Sequence, residues 1–164
     1  MASETITIGL SIGTRYVGYA VIVGSELRDW RLKVVQGTEL IDKFQWLTGV
    51  LARLTETYPP TSVAIKRLSA SRSSPMLERL VLEAKAYLQC HGVLVHELTL
   101  SRVKASLLPG QRVNKIRLAE YIVSQYPILL QEWQRERALK HPYRMMIFEA
   151  VALAQLIQSQ NQSG

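Results

Sequence analysis

Apolar and polar positions along this chain follow two periods. Ile6 to Leu10 and Tyr16 to Val23 are rich in β-branched and aromatic residues and read as strands. Between them Ser11-Ile12-Gly13-Thr14-Arg15 reads as a hairpin turn, with Gly13 supplying the permissive backbone. Gly18 falls where a side chain would crowd a neighbouring strand. After the Gly24-Ser25-Glu26 link, residues 27–35 read as a third strand and complete a three-strand meander. Gly37-Thr38 then stops the run and caps a helix starting near Glu39. Along it Leu40, Ile41, Phe44, Leu47, Val50, Leu51 and Leu54 recur at helical spacing up to Tyr58, and Pro59-Pro60 ends it.

The second half alternates between the two periods. Ser62 to Ile65 is a short buried strand, and residues 66–75 are a basic, serine-rich loop. Pro75 opens a helix whose apolar stripe is Leu77, Leu80, Val81, Ala84, Tyr87 and Leu88, closed by His91-Gly92. Residues 93–98 are a fifth strand. Helices follow over Ser101 to Leu108, from an Asn114 cap to Gln125, over 128–140 with Arg135, Arg137 and Lys140 exposed, and from Pro142 onward. The core side of the last includes Met146, Ala150, Leu153 and Ile157, and the final Ser-Gln-Asn-Gln-Ser-Gly should fray. A meander followed by βαβ units implies an α/β fold: one domain over residues 1–164, with a mixed five-stranded sheet and helices on both faces.

Composition narrows the picture only a little. A hydrophobic share of 48% indicates a folded globule, and no apolar run reaches the ~20 residues that span a bilayer. The N-terminus lacks the segments of a secretory signal, so the expectation is a soluble, cytoplasmic protein with no membrane partner. The single cysteine, Cys90, excludes an internal disulfide and reads as a buried helix residue. Twenty Lys and Arg against 13 Asp and Glu give a net charge of +7, which suits a polyanionic partner, most simply nucleic acid, or only solubility. His91, His96 and His141 have no metal-ligand spacing, and Ser11 with Lys66 has no matching oxyanion hole. Trp30, Trp46 and Trp133 read as core or interface residues, and Gly9 and Gly13 precede no dinucleotide-binding helix.

The opening stretch resembles the RuvC-type Holliday-junction resolvases and their YqgF-like relatives in the RNase H-like superfamily. That family opens roughly Ile-Gly-Ile-Asp-Pro-Gly-Thr-Arg, then Gly-Tyr-Ala-Val-Ile. Gly9, Gly13, Thr14, Arg15, Gly18, Tyr19, Ala20, Val21 and Ile22 fit it. Val63-Ala64-Ile65 resembles the family's fourth strand. Glu83-Ala84-Lys85-Ala86, Arg102-Val103-Lys104 with Asn114-Lys115, and Ala150 to Ala154 resemble later motifs. The resemblance implies an RNase H-like sheet, a Holliday-junction substrate, and a homodimer with the 76–91 helix as contact face.

It also implies a changed site. Ser11 stands where the family has its first metal-binding Asp, and Lys66 where it has a Glu. Phe148 and Val151 fall at the two Asp positions of the last motif, with Glu149 one residue off. Two-metal hydrolysis needs clustered carboxylates, so no catalytic residue, metal or other cofactor is expected. If Glu149 reaches the site, a Lys66–Glu149 ion pair can take the metal's place. The nucleic-acid contacts expected are Arg15, Lys66, Arg67, Arg72, Arg102, Lys104, Arg112 and Lys115, with Arg15 alternatively bracing the hairpin turn. The leading expectation is a nuclease-inactive protein that binds branched or structured nucleic acid. The alternatives are a Mg²⁺- or Mn²⁺-dependent junction endonuclease with relocated carboxylates, Glu83 and Glu149, and a non-catalytic scaffold or subunit.

Overall fold

The computed structural model describes residues 4–139 and 142–163. Strands β1 (Ile6–Ile12), β2 (Tyr16–Val23) and β3 (Glu26–Val34) form the meander. Helix α1 (Leu40–Thr57) leads to β4 (Ser62–Lys66), and α2 (Pro75–Cys90) to β5 (Leu94–Leu98). Then come α3 (Leu100–Leu107), α4 (Lys115–Gln125), α5 (Leu130–Leu139) and α6 (Met145–Ser163). The sheet order is β3-β2-β1-β4-β5; β1 pairs antiparallel with β2 and parallel with β4, and β4 pairs parallel with β5. This is the mixed five-stranded α/β sheet that the periodicity implies. No helix among the described residues is long and apolar enough to cross a membrane.

Alternation on β1 assigns the two faces. Ile8, Leu10 and Ile12 join Leu47, Leu51, Leu80, Ala84 and Leu88 in the core beneath α1 and α2. Thr7, Gly9 and Ser11 point the other way, towards α6, the helix with the most extensive contact to the sheet. Gly9 pairs with Ala20 on β2 and Ala64 on β4, so three small residues form a trough across the centre of the sheet. Helix α6 lies in it. A Cβ on Gly9 would overlap the Ala150 carbonyl oxygen, and Ala150 and Ala154 keep the helix side of the contact small.

A buried amide pins the far end of α6. Gln158 accepts from the Thr7 hydroxyl and donates to the carbonyls of Thr5 (2.8 Å) and Gly24 (2.7 Å). Both its donors are used, as a buried amide requires. The α6 backbone continues as helix to Ser163 and Asn161 Nδ2 reaches Ser62 Oγ, so the expected fraying is not found over 159–163.

Other expectations need correction. The β1–β2 ladder runs on through Ser11↔Gly18 and Ile12↔Val17, so the turn is shorter than its composition suggests. Gly13 is not at positive φ; what crowds a side chain there is the Tyr16 carbonyl, 3.0 Å from where a Cβ would stand. Gly18 is crowded by Met146 of α6 and not by a strand. Glu39, not Thr38, sits at the α1 N-cap and gives no side-chain bond. Cys90 is exposed: at about 100° per residue it lies across the helix from buried Leu88. The three tryptophans do pack against the two cores. Lys140 and His141 lie outside the described residues.

The trough yields a contrast between two glycines. Gly9→Ala must push α6 off the sheet, and overpacking of this kind costs about 1–3 kcal/mol or more. Gly49→Ala, inside α1 with its nearest neighbour 3.8 Å away, should gain about 0.5–1 kcal/mol. Urea unfolding of the two variants measures both.

Candidate functional site

The site lies where β1, β4 and α6 converge at the carboxyl ends of the two parallel strands, where α/β sheets gather functional groups. Ser11 is fully buried near the end of β1. Lys66 is the last residue of β4, after the buried run Ser62 to Ile65. Glu149 is on the second turn of α6, and its side chain is 3% exposed. One carboxylate oxygen gathers all three: Glu149 Oε1 accepts from Lys66 Nζ at 3.0 Å and from Ser11 Oγ at 3.1 Å. Glu149 Oε2 is buried with no hydrogen-bond partner among the described residues.

Glu149 therefore occupies the position that helical spacing left open. Phe148 turns into the core instead, edge-on to Trp133 at 5.6 Å, and Val151 is fully buried in the same cluster. Glu83 is on α2, which packs on the opposite face of the sheet from α6, and it has no ion pair or side-chain hydrogen bond among the described residues. No group of three His, Cys, Asp or Glu side chains comes together among the described residues. The site thus offers one carboxylate, already matched by an ammonium.

The cations fall into two classes. Lys66 has only 11% of its side chain exposed and is committed to Glu149, so it is not a free contact for phosphate. Arg67 follows β4, and its backbone N–H bonds the Leu98 carbonyl, which ties the β4 exit to the β5 exit. Exposed Arg72 lies in a 3₁₀ turn on the β4–α2 loop, and Arg102 opens α3 directly after β5. Lys104 follows on α3; Arg112 and Lys115 are farther on, in the α3–α4 loop and the first turn of α4. None of these six has an ion pair or side-chain hydrogen bond among the described residues. Arg15 braces the hairpin by its main chain only, accepting from Val35 N–H at 2.8 Å; its guanidinium is exposed. Sequence reasoning missed the Gln158–Thr7 bond and the Lys43 ammonium, which donates to the Thr14 carbonyl at 2.9 Å. The alternation of β1 carried a signal for the first, since Thr7 shares a face with Gly9 and Ser11.

No known family profile matches the chain, and no curated protein matches it. Solved structures do. The RuvC of Thermus thermophilus, solved in complex with a Holliday junction substrate, is similar at 14% identity and TM-score 0.76, over 98% of this chain and 96% of that one. The yeast mitochondrial Holliday junction resolvase is similar at 14% identity and TM-score 0.70, over 99% and 81%. The fowlpox virus resolvase, solved with its substrate junction DNA, is similar at 13% identity and TM-score 0.58, over 94% and 99%. The fold is RNase H-like, of the RuvC type.

Removing one member of a buried ion pair strands the other. Lys66→Met should destabilise the protein by about 3–5 kcal/mol, while Lys66→Met with Glu149→Leu should recover most of that, less about 1–3 kcal/mol for the Ser11 hydroxyl left without its acceptor. Chemical denaturation of the three proteins measures the difference.

Proposed function

We propose that this protein binds branched or structured nucleic acid and does not cut it with metal ions. The observation that carries this reading is Glu149 Oε1, shared by the Lys66 ammonium and the Ser11 hydroxyl. Two Mg²⁺ ions held about 3.5–4 Å apart need several carboxylates between and around them. Here a fixed positive charge stands beside the one carboxylate present. At ~4 Å a unit positive charge opposes each unit of cation charge by roughly 4 kcal/mol at an effective dielectric of 20. The donor set does not fit such a metal pair. The ion pair holds β4 to α6 without a cation, and so keeps the strand ends in place.

Binding needs cations that are not spent internally. Arg67, Arg72 and Arg102 lie on the segments that follow β4 and β5, and Lys104, Arg112 and Lys115 on α3, the α3–α4 loop and α4. Phosphate contacts of this kind fix position on the backbone without reading sequence. The branched substrates of the structural neighbours favour a branched ligand over plain duplex. The surface of α2 is the proposed face for a second copy: Leu82 is 59% exposed there.

A four-way DNA junction titrated across salt, with and without Mg²⁺ or Mn²⁺, tests the reading. Tight binding at low salt should weaken about a thousand-fold between 50 and 200 mM salt if some six phosphates are neutralised. The metals should add no cleavage. Cleavage that disappears in Glu149→Gln would instead support the relocated-carboxylate nuclease, and no binding at low salt would support a scaffold. Ser11→Asp combined with Lys66→Glu should yield at most trace cleavage, because Phe148 and Val151 supply no further carboxylate.

A further inference from the structure

The turn after β1 carries a second feature that the nucleic-acid reading does not use. Between that turn, the end of β3 and the start of α6 is a cleft of about 310 Å³, at the low end of the range for small-ligand sites. Its lining includes Arg15, Lys43, Tyr16 and Tyr143 and, among the described residues, no acidic side chain. The two tyrosines are stacked, with ring centroids 4.3 Å apart and planes 26° from parallel. Lys43 is held in place by its bond to the Thr14 carbonyl, which uses one of its three donors. The Arg15 guanidinium is exposed, with no ion pair or side-chain hydrogen bond among the described residues.

Two cations in a lining without an acidic side chain attract an anion, with Asp42 outside the lining against Gly37, and the stacked aromatic pair beside them offers a face for a flat ring. We infer that this cleft holds one unpaired nucleotide of a nucleic-acid strand, with its phosphate on Arg15 and Lys43 and its base stacked on the Tyr16–Tyr143 pair. Stacking on protein aromatics is tolerant of sequence and is the common device for single-stranded segments. The cleft is well placed for this. Ser11 lies just before the turn that carries Arg15, and Tyr143 just before the helix that carries Glu149, so the cleft borders the converging strand ends. A strand leaving a branch point on the basic rim could enter it without crossing the sheet. The inference rests on the proposed binding of branched nucleic acid.

The experiment uses the full chain and a four-way junction with 2-aminopurine at an unpaired position beside the crossover, alongside a 15-nucleotide oligo-dT, a plain duplex and free dTMP. With wild-type protein the 2-aminopurine fluorescence should be quenched on binding. Tyr143→Leu should abolish the quench and weaken oligo-dT binding about 5- to 100-fold relative to duplex, the range expected for one lost base stack. Arg15→Ala should also weaken oligo-dT binding, and Tyr143→Phe should restore the quench. Thermal unfolding checks that each variant is folded; should Tyr143→Leu fail that check, Arg15→Ala with the wild-type quench decides the matter. If wild type binds the junction with no quench, or folded Tyr143→Leu retains it, the cleft is not a nucleotide site while the function stands. If dTMP binds as tightly as oligo-dT, the ligand is a free nucleotide and the strand assignment is overturned. If wild type binds no nucleic acid, the functional reading itself falls.

Discussion

The contact between α6 and β1 is the constraint on which the rest of the structure depends. A helix can approach a sheet this closely only over residues without bulk, and Gly9, flanked by Ala20 and Ala64, supplies that space. Close packing alone would not fix the helix along its own axis. Two polar clamps do so, one at each end of the contact. Gln158 bonds Thr7 and the carbonyls of Thr5 and Gly24, and Glu149 bonds Ser11 and Lys66. The three residues of β1 that face α6 are thus two hydrogen-bonding groups with a gap between them. Each clamp is buried, so each must be satisfied internally, and slippage of α6 would leave polar groups without partners.

The same constraint explains why the candidate site has the form it does. The clamp at the strand ends is where a two-metal nuclease would gather carboxylates. Here one carboxylate oxygen, one ammonium and one hydroxyl bond one another, while Glu149 Oε2 has no partner among the described residues. A buried ion pair contributes little net stability over an apolar replacement, but it is costly to break and specific in geometry. It keeps β1, β4 and α6 in register at the end of the sheet where the basic residues leave it.

Much of the fold was legible because its signals are local. The β-rich runs of β1 and β2, buried on both faces, and the apolar stripes of α1 and α2, buried on one, are patterns read within a few residues of one another. The site was only half legible. Ser11 and Lys66 lie on strands, where period-two geometry fixes direction; the hairpin motif locates the first and the Val63-Ala64-Ile65 run the second. Glu149 lies on a helix, where a shift of one residue turns a side chain by about 100°, so its orientation depended on how α6 docks. That docking is set by Gly9 against Ala150, a long-range contact. Cys90 illustrates the opposite error, since residue type suggested burial while its position on the helix put it outward. Tyr16 and Tyr143 stack across most of the chain's length, and no local pattern announces such a pair.

The central claim is that the Lys66 ammonium stands in the place of a metal. The most direct measurement is the anomalous difference density of a crystal soaked in Mn²⁺. The account predicts an empty map between Ser11 and Glu149, with Lys66 Nζ still bonded to Glu149 Oε1. Manganese density beside the carboxyl end of β1, with the lysine swung away, would contradict it.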